Sequence, residues 1–312
     1  AIMSITGNID IPGGMTIYRN PYDIDQVTMR DYDLLTEEQA SKRIGLEKYP
    51  LLQFGIPLAH PDEMVNQMDS DLPYPIKAMW IQTTNPIACM ASEPRRVYDQ
   101  MMRLDFIAAA DPFMTPTIAA LADVVLPVTF YPEADSLYSE QDYALGAIIK
   151  AVEPKGECKS DYEICLELGK RLSPEDWPWE TADDLLTWQI QPTTGLTFQE
   201  LCEQGGLLYT DFQYEKYKKG LLRPDGRPGF MTPSGKIELH SLMFDAWGYD
   251  PLPNYKEPPE SPISTPELAK EYPLVFTSGA RHISMFHSEH RQIPRLRAMH
   301  PDPELLIHPN DA

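Results

Sequence analysis

Residues 105–127 read DFIAAADPFMTPTIAALADVVLP. The run DFIAAAD (105–111) is apolar, short and closed by an aspartate, which predicts a buried strand. TPTIAALA (115–122) predicts a short helix, with Thr115 as N-cap and Pro116 at the first helical position. DVVLPVTF (123–130) predicts a second strand. Upstream, IKAMWIQ (76–82) is another short strand. SEPRRVYDQMMRL (92–104) has helical spacing, with Ser92 as N-cap and Glu93 in the first turn. Apolar strands alternating with helices imply an α/β fold, a parallel Rossmann-like sheet with helices on both faces and right-handed crossovers. Such sheets take ligands beyond the C-terminal ends of their strands. Two loops fall there, 82–93 and 110–116, so Asp111 is expected on the ligand side.

A strand-end aspartate is most often a cap or turn former. It also has a chemical alternative. A carboxylate accepts two hydrogen bonds side by side, which suits the N1–H and N2–H₂ edge of guanine. Thr115 offers a hydroxyl to the same ligand, and Asn85 offers an amide for a ribose or phosphate. Glu133 and Asp135 read as ordinary surface acids.

The surroundings are less regular. Residues 1–75 form an irregular opening segment with Gly-rich turns in TGNIDIPGG (6–14) and one helical patch over 34–46. Residues 131–150 read as an acidic, Tyr-rich loop. DYEICLELGKRL (161–172) is an amphipathic helix with Ile164, Cys165, Leu168 and Leu172 along one stripe. Further helices are expected over 180–190 and 197–205. Residues 223–241 look like a hairpin ending in a strand. The helical extension completes a domain over 76–250, a Pro-, Glu- and Ser-rich linker covers 251–271, and a strand over 272–279 opens a last unit, 272–312.

Composition excludes several functions. The 312 residues carry a net charge of −21, so binding nucleic acid through a basic face is not expected. No run of 18 apolar residues is present, so no direct membrane insertion is expected. The first residues have neither the basic nor the apolar part of a signal peptide. Cys89, Cys158, Cys165 and Cys202 include no CxxC pair, which argues against an iron–sulfur or zinc site built from them. PSGKIE (233–238) imitates a P-loop but lacks its first glycine, and Ile237 stands where the metal-binding hydroxyl belongs. Five of seven histidines fall at 282, 287, 290, 300 and 308. A metal site involving His287 and His290 is the minor reading. The favoured one is a polar loop gripping an anionic ligand through Arg281, Arg291, His and Ser donors.

Taken in order, several segments resemble the molybdopterin oxidoreductase family, also called the dimethyl sulfoxide reductase family. They are TGNIDIPGG (6–14), WIQTTNP (80–86), DFIAAADPFMTPTIAALADVVLP (105–127), FMTPSGKIEL (230–239) and FTSGARHISMFHSEHR (276–291). FYPEADSLYSEQDY (130–143) matches less well, because Asp135-Ser136 replaces the usual small residues. HSEHRQIPRLRAMHPDPE (287–304) is similar to thiosulfate or polysulfide reductases and to acetylene-hydratase-like relatives.

The resemblance implies an enzyme in which two molybdopterin guanine dinucleotides hold molybdenum or tungsten. The chemistry would be two-electron or oxygen- or sulfur-atom transfer on a small substrate. Asp111 and Thr115 would hold guanine, and Asn85 would line the same pocket. Arg281, His287 and Ser288 would contact pterin or diphosphate. No catalytic or metal-ligating residue is expected within the chain. The ligand to the metal and a 4Fe–4S cluster are expected upstream of residue 1. Residues 272–312 would begin a C-terminal, double-psi-like β-barrel domain. The chain thus reads as an internal fragment, inactive alone, whose partners are the remaining parts of its polypeptide and an iron–sulfur electron-transfer subunit. A role in anaerobic respiration, in a prokaryote, exported or at the cytoplasmic face of the membrane, goes with that family. The alternative is a non-catalytic scaffold homologue in an electron-transfer complex.

Overall fold

The computed structural model describes residues 2–17, 35–53, 59–89, 93–140, 144–209, 211–279, 282–285 and 290–312. Short helices α1 (Ile2–Ile5) and α2 (Glu37–Ser41) precede α3 (Pro61–Ser70). An α/β unit follows: β1 (Ala78–Gln82), α4 (Pro86–Cys89), α5 (Pro94–Met101), β2 (Phe106–Asp111), α6 (Pro116–Leu121) and β3 (Val124–Pro127). The three strands pair in chain order and in parallel, with Ile81 opposite Ala109 and Asp111 opposite Pro127.

β2 is central, and its pleat divides the core. Ile107 and Ala109 face a cluster with Val65 and Met68 of α3, Val97 and Met101 of α5, and Ile118 and Leu121 of α6. Ala110 faces the other side, against Val128 and Ile164. The small alanines let helices approach both faces closely, and the alternation is what a sheet covered on both sides requires. Helix α6 starts as its sequence predicts: the Thr115 hydroxyl accepts from Ile118 N–H and Pro116 occupies the first turn. The expected cap Ser92 of α5 lies outside the described residues. Helix α3, ten residues within the segment read as irregular, was missed. Its signal was present in His60-Pro61 followed by two acids, a prolyl N-terminus with a complemented helix dipole.

The stretch 131–150 is not a plain loop. A 3₁₀ turn, Tyr131–Glu133, leads into β4 (Ser136–Glu140) and β5 (Ala144–Ile148), which pair antiparallel, and β6 (Leu207–Tyr209) adds to β5. The Tyr138 ring lies directly over its partner Gly146, where a Cβ would come within 2.1 Å of it. The acidic, Tyr-rich composition is what reads as loop, whereas the pairing depends on this cross-strand contact. Helices α7 (Asp161–Leu172), α8 (Ala182–Thr194) and α9 (Phe198–Glu203) complete this part. Ile190 and Leu201 close over Leu145 of β5. Each of the three helices begins with a capping box: Ser160 with Glu163, Thr181 with Asp184, and Thr197 with Glu200.

The stripe expected on α7 is displaced. Ile164 is buried, but Leu168 and Leu172 are exposed, while Leu166 and Gly169 are buried. Trp177 causes the shift, because its indole fills the space where a Cβ on Gly169 would sit, 2.1 Å away.

Residues 223–241 contain no strand among the described residues. They form turns instead: Thr232 Oγ1 donates to Lys236 O at 2.6 Å, and Gly235, at φ +69°, takes a bond from Phe230 N–H at 2.9 Å. Short helices α10 (Leu242–Ala246), α11 (Pro266–Glu271) and α12 (Pro294–Arg297) follow. The expected strand over 272–279 is absent, and among the described residues of 272–312 there is none. Leu274, Val275 and Phe276 are exposed. The β propensity is there, but no neighbouring strand supplies a ladder. The expected start of a β-barrel is therefore not observed.

The TGN segment is tightly ordered. Gly7 and Gly13 have φ of +71° and +77°, and Met15 N–H bonds back to Asn8 O at 2.9 Å. Asp10, fully buried, pairs with Lys216 Nζ at 2.8 Å and accepts from Lys216 N–H at 2.6 Å. No described helix is long and apolar enough to cross a membrane.

Candidate functional site

A cavity of about 660 Å³ opens beyond the C-terminal ends of the parallel strands. Its lining comes from the loop after β1 (Thr83–Asn85 and Cys89), the end of β2 (Ala110–Phe113 and Thr115) and the continuation of β3 (Val128–Tyr131). The far wall is Ala134–Ser136, Ile148 and Ser160–Tyr162, and His290, Gln292 and Ile293 stand at its rim.

Asp111 ends β2 half-buried. Its Oδ1 accepts from Phe113 N–H at 2.7 Å, an Asx turn that turns the chain toward α6. Among the described residues no donor meets its Oδ2. Burial pushes its carboxyl above the ordinary range, against a smaller downward pull from the Phe113 N–H. A lone acceptor in a desolvated place is suited to a ligand that brings donors. Phe113 and Phe130 meet edge to face beside it, with centroids 5.4 Å apart.

Asn85 is buried, and its carbonyl Oδ1 accepts from the Thr117 hydroxyl of α6. That bond locks the loop after β1 onto the first turn of α6. The Asn85 backbone carbonyl accepts from Ala88 and Cys89 N–H, which starts α4. Thr115 reaches the cavity too, though its oxygen already caps α6.

Sequence reasoning missed the far wall. Val128 forms a parallel bridge with Lys159: Thr129 N–H donates to Lys159 O at 3.1 Å, and Lys159 N–H to Pro127 O at 3.2 Å. That rung places the first turn of α7 beside the end of β3, so Ser160, Asp161 and Tyr162 face the cavity. Gln82 links the two sides, donating from Nε2 to Asp161 Oδ1 and accepting from Trp80 Nε1 at 2.8 Å. Asp135, read as a surface acid, also lines the cavity, and its Oδ1 accepts from Lys150 N–H at 2.8 Å. Burial raises the Tyr162 phenol, so it remains a hydroxyl donor at neutral pH. A readable signal existed for Ser160 alone, in the Ser-Asp-Tyr-Glu start of the helix.

A family model described as molybdopterin oxidoreductase matches residues 2–171. The chain belongs to the molybdopterin oxidoreductase family. Acetylene hydratase of Syntrophotalea acetylenica is 34% identical over 306 residues, covering 90% of the chain and 40% of that relative. Dimethyl sulfoxide reductase DmsA of Escherichia coli (strain K12) is 29% identical over 342 residues, covering 99% and 40%. The solved structure of acetylene hydratase from Pelobacter acetylenicus superposes with a TM-score of 0.82 at 31% identity, over 96% of this chain and 43% of that one. This molybdopterin oxidoreductase chain thus spans about two fifths of the length of these relatives.

The structure brings Asp111, Asn85 and Thr115 to one cavity. Arg281, His287 and Ser288 lie outside the described residues. The lining is rich in hydrogen-bond acceptors, because three carboxylates, Asp111, Asp135 and Asp161, face the space and no lysine or arginine does among the described lining residues. Such a lining receives donor-rich groups, a base edge or ribose hydroxyls, rather than a diphosphate.

Proposed function

We propose that this chain is the nucleotide-cradling part of a bis-molybdopterin guanine dinucleotide enzyme that acts on a small substrate. The observation that carries the reading is Asp111 Oδ2 at the end of β2, inside the cavity, which meets no donor among the described residues. When bound, the cofactor's molybdenum or tungsten would supply two-electron or atom-transfer chemistry; the protein supplies binding and electrostatics. Asp111 would receive the N1–H and N2–H₂ edge of guanine, exchanging water for two charge-assisted bonds. Asn85, held by Thr117, would present its amide to the ribose side. Phe113 and Phe130 would exclude water from the base. Arg281, His287 and Ser288 would meet the diphosphate or pterin; His290, which follows them in the sequence, lines the cavity.

An iron–sulfur electron-transfer subunit is the partner that goes with this reading. Metal analysis of the native protein by elemental mass spectrometry, with fluorescence of its oxidised pterin, tests it. About one molybdenum or tungsten per polypeptide, with guanine released on hydrolysis, supports the reading. A folded native protein lacking both metal and pterin overturns it and leaves the scaffold role.

A further inference from the structure

The last part of the chain holds a cluster unrelated to the cavity. His282 and His300, eighteen residues apart, stack with ring centroids 3.8 Å apart and planes inclined by 27°. One ligand atom each from His282, His300 and Glu304 lies within 4.8 Å of the other two. His300 Nδ1 is buried and has no hydrogen-bond partner. A buried ring nitrogen without a partner is unfavourable. An electron-pair acceptor at the centre of the cluster would satisfy it.

We propose that His282, His300 and Glu304 bind one divalent transition-metal ion of the zinc class. Two imidazoles and a carboxylate with a fourth position for water is a set zinc accepts, whereas calcium and magnesium prefer oxygen ligands alone. Ligand atoms around tetrahedral zinc lie about 3.3–3.5 Å apart, as bond lengths near 2.0–2.2 Å require. Two imidazoles on one tetrahedral zinc have ring centroids about 5 Å apart, so the stacked rings splay apart on binding while Glu304, which is exposed, turns inward. The geometry of the chain suggests the purpose. The turn at 282–285, closed by Met285 N–H on His282 O at 3.2 Å, would be fastened to the 300–304 stretch. The intervening segment carries His290, Gln292 and Ile293 to the cavity rim, so the ion would hold that rim in place.

The test is a titration of the full chain, stripped by chelator and free of nucleotide, with Co²⁺ followed by its visible d–d absorption, then with Zn²⁺ in competition. The expected result is saturation near one equivalent, displacement by Zn²⁺, and loss of the band in His282→Ala and His300→Ala. Glu304→Gln should weaken binding about tenfold or more, and His308→Ala should leave it unchanged. Zn²⁺ should also raise the melting temperature of the wild type and not that of Glu304→Gln. No saturable Co²⁺ binding to the wild type overturns the proposal, as does equal binding by the two histidine variants. If either histidine variant fails to fold, the exposed Glu304→Gln decides, and wild-type affinity in that variant counts against the site. No nucleotide is present, so the result is independent of the cofactor reading.

Discussion

Asp10 and Lys216, separated by 206 residues, form a fully buried ion pair with Nζ 2.8 Å from Oδ1. The carboxylate also accepts from Lys216 N–H and Ile17 N–H, and the ammonium donates to Gln213 O and sits 4.6 Å from the Phe212 ring. Both charges are thus satisfied without water. Removing one partner strands the other in a dry place. Asp10→Ala or Lys216→Ala should each destabilise by about 3–5 kcal/mol. A double replacement, Asp10→Leu with Lys216→Met, should recover much of that loss. Urea unfolding of the three variants checks it, and a double variant no better than the singles refutes it.

Asp111→Asn should separate function from stability. Desolvation raises the Asp111 carboxyl above its unfolded value, so ionising it in the empty cavity opposes folding. The sign follows: the penalty is absent below the unfolded pKa of about 4 and grows as pH rises from there through the folded pKa. The asparagine variant should melt a degree or so higher at pH 7, and the gain should vanish near pH 3.5. Guanine nucleotide binding, followed by equilibrium dialysis against an adenine control, should fall at least tenfold. A variant that binds guanine normally rules out the assigned role.

Gly169 should tolerate no side chain. A Cβ there would lie 2.1 Å from the Trp177 indole, a rigid neighbour. Gly169→Ala gains helix propensity but must push Trp177 out, and Trp179 stacks edge-on behind it at 5.7 Å. A net loss of about 1–3 kcal/mol is expected, with a shift in tryptophan emission.

The capping boxes predict acid sensitivity on the α8–α9 side. Hydrogen bonds from Thr181 lower the Asp184 carboxyl, and those from Thr197 lower Glu200. Groups with depressed folded pKa values stabilise above their unfolded pKa and lose that contribution as pH falls through the folded one. Stability should therefore decline from about pH 4.5 downward. Thr197→Ala should flatten that decline while lowering stability at pH 7, measured by melting temperature across pH 2–7.

The parallel sheet was legible because its signals are local. The apolar runs around Ile81, Ile107 and Val125 alternate with helix starts that carry their own caps, as Thr115-Pro116 shows. The placement of Asp111 and Asn85 at the cavity was legible for the same reason, since both stand at the C-terminal ends of strands in such a sheet. The far wall was not, because Asp161 and Tyr162 reach the cavity through one rung between Val128 and Lys159, a pairing no periodicity announces. The β4–β5 pair was hidden by the acidic, Tyr-rich composition of its segment, and the role of Gly146 emerges only when Tyr138 lies across it. The expectation for 272–279 failed in the opposite sense. YPLVFTSG has strand composition, yet its apolar side chains stand exposed with no strand alongside.

The Val128–Lys159 rung also makes residues 129–158 a closed excursion that leaves and rejoins the sheet at adjacent points. Its length is invisible to the strands beneath. Asp135, Ser136 and Ile148 belong to that excursion, whereas Asp111, Asn85 and Tyr162 do not. The excursion is nonetheless anchored, because β5 within it pairs with β6 and its Leu145 packs under Ile190 and Leu201. One lip of the cavity thus answers to the α8–α9 side of the molecule, while its floor answers to the parallel sheet.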